Sequence, residues 1–327
     1  MFQHSSFFPS AFILLGLLSC TPSRQITEDK RPLVVATNSV LCDLTRQIGE
    51  DSLNFKCLVD AGVDPHVYQP TPADRQAIDT AKLILYGGYN FEPSLAKLIQ
   101  TTTNSASKVA VHEKAVPQPI LGSSHEHEHE HEHEHEEEEK DNTPDPHVWH
   151  NPSNGMEMVN VISQELAKLQ PDQAQVYQKR AKEINNQINS IDQWIKTQIA
   201  TIPPKKRKLV TTHDALGYYV STYDLEFTGA LSGLSTEESP TAARVSELTK
   251  DIEKTQVPTI FAETSINPQL IETIAKEAKV KVSPRELYAD GLGEKGTEGD
   301  SYQKMLISNT KTLVEGLGGK YTPFASP

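Results

Sequence analysis

An α/β fold of two lobes, each a parallel-type sheet flanked by helices and joined by one long rigid helix, is what this chain predicts. Short apolar runs alternate with amphipathic segments through its first third. A single-face apolar stripe of about six turns follows, and then the alternation restarts. Strand–helix alternation argues for parallel sheets with helices on their faces. The 327 residues suffice for two ordinary cores.

The first lobe reads in order. Residues 33–37 form an apolar strand, and residues 40–48 an amphipathic helix closed by Gly49. A second strand spans 54–59, with a turn at Gly62, and a helix spans 71–80. Residues 81–86 make a strand ended by Gly87-Gly88, 91–100 a helix and 108–111 a strand. An insert occupies 117–143. Beyond it Ser153 caps a helix to about Leu169, which Pro171 interrupts.

The stripe is Tyr177, Ala181, Ile184, Ile188, Ile191, Ile195 and Ile199, spaced by three or four residues until Pro203-Pro204. A helix of roughly 30 residues spans about 45 Å, enough to run along two lobes and restrict their movement. The second lobe then repeats the scheme, with strands at 208–212, 225–230, 259–262 and 280–282. Helices fall at 215–221, 242–256, 268–278 and 302–317. The expected domains are 1–19 as a signal peptide, 20–31 as a tether, 32–170 as the N-terminal lobe, 171–202 as the linking helix and 203–327 as the C-terminal lobe.

Composition narrows the function. Net charge is −13, but residues 125–141 hold ten acids and one lysine, leaving the rest near −4. Lys205-Lys206-Arg207-Lys208 is the one short basic cluster, too small for a nucleic-acid footprint. At the N-terminus an apolar stretch from Phe7 to Leu18 suits a signal-peptide core and is short for a membrane span. It ends in Leu17-Leu18-Ser19-Cys20, which resembles a bacterial lipobox. The expectation is an exported protein, periplasmic or on the cell surface, lipid-anchored at Cys20. Export puts Cys42 and Cys57 in an oxidising compartment. They read as one helical and one strand thiol, both buried, and are expected to stay free, pairing being the alternative.

Metal chemistry is written twice. His125, His127, His129, His131, His133 and His135 alternate with glutamate inside the insert, and this tract contains no apolar residue to build a core. Imidazole is the commonest biological zinc ligand. The tract is expected to gather zinc loosely; a linker that binds metal incidentally is the alternative. Two further histidines share one motif, Asp64-Pro65-His66-Val67-Tyr68 and Asp145-Pro146-His147-Val148-Trp149, and a third stands in Thr212-His213-Asp214. Proline stiffens the turn and aspartate can orient backbone or ring, as a metal site requires. All three fall just after strands or in short loops, where α/β lobes bind ligands. His150 reads as solvated or as a support beside the ligands, and His112 as structural.

These motifs, together with the long helix, His213-Asp214-Ala215-Leu216-Gly217-Tyr218, Ile260-Phe261-Ala262-Glu263 and Leu287-Tyr288-Ala289-Asp290-Gly291-Leu292, carry a resemblance over about residues 33–318. The chain resembles the cluster A-I solute-binding lipoproteins of bacterial ABC importers for zinc and manganese. That resemblance implies four ligands, His66, His147, His213 and Asp290, two from each lobe. It implies a membrane permease as partner, a monomer, and no enzymatic activity. Manganese-type members carry glutamate at the third position. Histidine at 213 gives three nitrogens and one carboxylate, a zinc set, and the acidic His-rich insert agrees with the zinc branch. Mn2+ or iron is the alternative cargo. A zinc hydrolase is the reading from another class; it needs an open coordination position and a general base, and no His-Glu-x-x-His occurs.

Overall fold

The computed structural model describes residues 1, 2, 4, 29–122, 143–237 and 239–325. The expected lipobox at Cys20 and the histidines 125–135 lie outside these residues. The chain divides after Lys30, and Arg31–Pro327 forms one compact unit.

Four strands, β1 (Leu33–Ala36), β2 (Asn54–Cys57), β3 (Leu83–Tyr86) and β4 (Ser107–Ala110), form a parallel sheet in the order β2-β1-β3-β4. Their crossovers are α1 (Ser39–Gly49), α2 (Pro72–Thr80) and α3 (Pro93–Thr101). Local chemistry starts each helix. Asn38 accepts the Leu41 N–H at 3.0 Å to open α1. Thr71 and Asp74 form a reciprocal capping box ahead of Pro72 in α2. A five-residue helix, α4 (Val111–Ala115), follows β4 directly. The sequence reading missed it because a run that short carries too few turns for a period to register.

Next come α5 (Pro152–Leu169) and α6 (Ala174–Ile199). The cap of α5 is Asn151, which accepts the Ser153 N–H at 2.9 Å, so the expected cap at Ser153 shifts by two residues. In α6 all seven stripe residues are buried. The helix has 26 residues, since Pro171–Gln173 is a 3-10 turn, which shortens the expected segment 171–202 at both ends. One apolar core contains β1 and β3 residues, the α6 stripe, Tyr219, and Tyr302, Met305 and Leu313 of the last helix. Both halves therefore pack against α6 through shared side chains, which supports a rigid connection.

In the C-terminal half, β5 (Lys208–His213) pairs with β6 (Glu226–Ser232), and β7 (Thr259–Ile260) with β8 (Lys281–Val282), all parallel. Phe261 N–H donates to Val210 O at 3.0 Å and joins the two pairs. The order β6-β5-β7-β8 thus repeats the N-terminal arrangement. Helices α7 (Gly217–Tyr223), α8 (Ala242–Thr255), α9 (Gln269–Glu277) and α10 (Tyr302–Gly316) complete the unit.

Two expectations are corrected. Cys42 and Cys57 are joined in a disulfide, with Cα atoms 5.6 Å apart. Both are buried as expected, but α1 lies across the end of β2 and turns the two thiols toward each other, which their separation of 15 residues does not reveal. The helix expected at 91–100 begins at Pro93. Gly88, Tyr89 and Asn90 all take left-handed backbone angles, and they deliver Phe91 and Glu92 into the interior in place of a first helical turn.

Candidate metal centre

Each of the four residues implied as ligands is held by a carboxylate or hydroxyl partner nearby. After β2, Asp64 accepts the His66 backbone N–H at 2.9 Å and, through its other oxygen, the Thr236 hydroxyl at 2.6 Å. The loop bearing His66 is therefore tied to the loop after β6. In the twin motif, one oxygen of Asp145 lies 2.9 Å from the His147 backbone nitrogen and 2.8 Å from its Nδ1. With Nδ1–H donated there, the Nε2 lone pair of His147 is free for a metal.

His213 is the last residue of β5. Glu263 collects three donors from that strand end: the backbone N–H groups of Thr212 (2.9 Å) and His213 (3.0 Å), and His213 Nδ1. Asp290, in the loop after β8, faces all three imidazoles. Its Oδ1 lies 3.0 Å from His213 Nε2, 3.3 Å from His147 Nε2 and 3.4 Å from His66 Nε2. Ser265 donates its hydroxyl to Asp290 Oδ2 at 3.1 Å.

One ligand atom from each of the four converges within 4.8 Å of the others. None of the four residues is more than 2% exposed. Burial in such a place is costly for any charge, and that penalty is the largest influence on His147, His213 and Asp290. At His213 the carboxylates Asp290 and Glu263 overcome it and hold the imidazole well above its usual range. At His147 hydrogen bonds to Asp145 and Asp290 also outweigh burial and raise the imidazole above its usual value. Asp290 is held well below the usual carboxylate range by His213 and by hydrogen bonds from the three histidines. Three nitrogens and one oxygen, converging and dry, are a donor set for a borderline-soft divalent cation.

Around this cluster lie aromatic rings. Phe91 packs edge-on against His66 (5.0 Å between centroids), His147 (5.6 Å) and Trp149 (4.9 Å). His150 is fully buried, which excludes the solvated reading; it donates from Nε2 to the carbonyl of Ala289, beside Asp290, at 2.8 Å. His112 is buried against Phe91 and Trp149 and stands outside the four-residue cluster. Burial pushes both imidazoles down to about 3, so both are neutral.

Sequence reasoning named the four converging residues but gave Glu263 and Ser265 no supporting role. No spacing marked them: Glu263 is an isolated bridge residue and Ser265 stands in the turn after it, and they address His213 and Asp290 respectively. Glu263→Gln should weaken metal binding by about 10–100-fold. An amide nitrogen at Nδ1 would move the imidazole proton to Nε2, the ligating atom. Calorimetric titration of the variant checks this, and unchanged affinity would mean that Glu263 does not set the tautomer.

The histidines 125–135 are outside the described residues, but the flanks of the insert are not. Leu121 bridges Pro144 in antiparallel fashion, and Gly122 N–H donates to Thr143 O at 2.9 Å. Asp145 N–H donates to Ile120 O at 2.8 Å, and Ile120 N–H to the Tyr218 hydroxyl at 3.0 Å. The insert thus departs and returns at one point, immediately before Asp145 and His147.

Comparison with known proteins agrees over the whole unit. The profile of the family described as zinc-uptake complex component A, periplasmic, matches residues 34–316. A metal ABC transporter substrate-binding lipoprotein of Streptococcus cristatus is 30% identical over 311 residues, covering 93% of this chain and 95% of the relative. The manganese-binding lipoprotein MntA of Bacillus subtilis is 30% identical, covering 94% and 96%. Among solved structures, the periplasmic zinc binding protein TroA from Treponema pallidum aligns with a TM-score of 0.78 at 30% identity, over 88% of this chain and 99% of that one.

Proposed function

Because the chain belongs to the family of periplasmic zinc-uptake complex component A proteins, we propose that it is the extracytoplasmic zinc-binding component of an ABC importer. It is a solute-binding protein and not an enzyme. Zn2+ is the cargo, held between the lobes by His66, His147, His213 and Asp290 and handed to a membrane permease. Cys20 anchors the exported monomer to the membrane, with 32–170 and 203–327 as lobes and 171–202 between them.

The observation that carries the choice of metal is the donor set. His213 stands where the manganese-type pattern has glutamate, so the site offers three imidazole nitrogens and one carboxylate. Zinc favours that mixture, whereas manganese favours harder, oxygen-rich sets. Four ligands about 2.0–2.1 Å from a tetrahedral zinc ion lie about 3.3 Å apart. The contacts of Asp290 Oδ1 with the three imidazoles, and of His66 Nε2 with His147 Nε2, fall at 3.0–3.4 Å. Manganese is the second reading, favoured by relatives such as the manganese-binding lipoprotein MntA.

Competitive titration of zinc against manganese on the mature soluble chain, with and without residues 123–142, separates the two. The expected result is one tight zinc site that survives the deletion and weak additional sites that vanish with it. A manganese preference, or loss of the tight site on deletion, would overturn the reading.

A further inference from the structure

We infer that Ser265, by engaging Asp290 Oδ2, makes Asp290 a one-oxygen ligand and so limits the site to four-coordinate metals. This inference rests on the zinc reading and deepens it. A carboxylate can bind a cation through one oxygen or both, and the second mode adds a coordination position of the kind that harder, higher-coordinate cations use. Asp290 is divided between two tasks. Its Oδ1 faces the three imidazole Nε2 atoms at 3.0–3.4 Å, while its Oδ2 accepts the Ser265 hydroxyl at 3.1 Å. That donor engages Oδ2, while the imidazole contacts all fall to Oδ1.

No other group is placed to supply a fifth ligand among the described residues, since the converging set contains four members. Phe91 closes the N-terminal side with ring carbons against His66 and His147. That ring is fixed in turn, because the carboxylate of Glu92 next to it accepts the Gly87 N–H at 2.8 Å and the Thr37 hydroxyl. His150 spends its Nε2 proton on the Ala289 carbonyl. The cleft is also too dry to add water easily, with every ligand residue buried. Ser265 is therefore the residue whose removal would release a new donor, the second oxygen of Asp290. It is a positioning residue that acts through Asp290 and does not touch the metal itself.

Cobalt substitution reads this directly, because four-coordinate Co2+ absorbs far more strongly in the visible than five- or six-coordinate Co2+. The unsubstituted protein loaded with Co2+ should show the intense bands. In Ser265→Ala they should weaken severalfold, and zinc-over-manganese preference should fall on the order of tenfold. Ser265→Thr, which keeps the hydroxyl, should retain both. Intense bands persisting in Ser265→Ala would overturn the inference alone. So would outright loss of cobalt binding in an Ala variant whose circular dichroism and melting are unchanged, since Ser265 would then support binding without selecting geometry. Weak bands already present in the unsubstituted protein would sink the zinc reading, and this inference with it.

Discussion

Replacing His213 by alanine should lower zinc affinity between about a hundredfold and a thousandfold, the share of one ligand in a four-ligand site worth about 10–16 kcal/mol. The same substitution should also destabilise the metal-free protein, and by more than His66→Ala does. His213 lies between two buried carboxylates, with Nδ1 on Glu263 and Nε2 3.0 Å from Asp290. In the metal-free state its positive charge compensates both. Removing it leaves two buried acids facing each other, and breaking a buried pair from one side is costly. At the cluster, His66 meets Asp290 at the longer distance of 3.4 Å and has no second carboxylate of this kind. Isothermal titration with a competing chelator, together with melts of both metal-free variants, checks the two halves of the statement. Zinc affinity of His213→Ala within tenfold of the unsubstituted protein would mean that the ligand set is misassigned.

What could be read from the chain depended on how local its cause was. The α6 stripe was legible because helical spacing alone fixes a buried face, and Tyr177 through Ile199 are buried as that spacing requires. His66 and His147 were legible for a similar reason: an aspartate two residues earlier makes the same backbone contact in both motifs. Asp290 was not readable from spacing, and only the resemblance pointed to it. Its contacts reach across 224 residues to His66, and no local pattern encodes them. The disulfide failed for the same reason, being a product of how α1 lies over β2. Phe91 shows the opposite error. The expected helix began at Phe91, but Gly88 opens a left-handed stretch that continues through two residues that are not glycine, Tyr89 and Asn90. The packing of Phe91 against the ligand histidines and the hydrogen bonds of the buried Glu92 accompany that conformation. Tertiary contacts, and not propensity, decided that segment.

Acidification should weaken zinc binding from a higher pH than ordinary imidazoles would dictate. Zinc takes the lone pair of a neutral Nε2, so any proton held by the metal-free site must leave first. An unperturbed imidazole holds its proton only below about pH 6.5. Here Asp290 and Glu263 raise His213 well above that value, and Asp145 and Asp290 raise His147, in both cases against the opposing effect of burial. Loading near neutral pH should therefore release protons. Where both histidines are protonated, affinity should fall by up to about a hundredfold per pH unit, tenfold for each proton displaced. His112 and His150, pushed down to about 3, stay neutral and contribute none of these protons. The sign for the metal-free fold runs the other way. Stability contributed by protonated His147 and His213 is fully present below about pH 6.5. It is lost as pH rises through their raised values. Asp290 contributes stability above its ordinary value of 3.8, lost only as pH falls through its lowered one. The increment in melting temperature produced by zinc should accordingly grow from acid to alkaline pH for two reasons at once, tighter binding and a less stable metal-free reference. Calorimetric titration in buffers of different ionisation enthalpy counts the protons released. A count of zero at pH 7 would show that the four groups are neutralised by something other than one another.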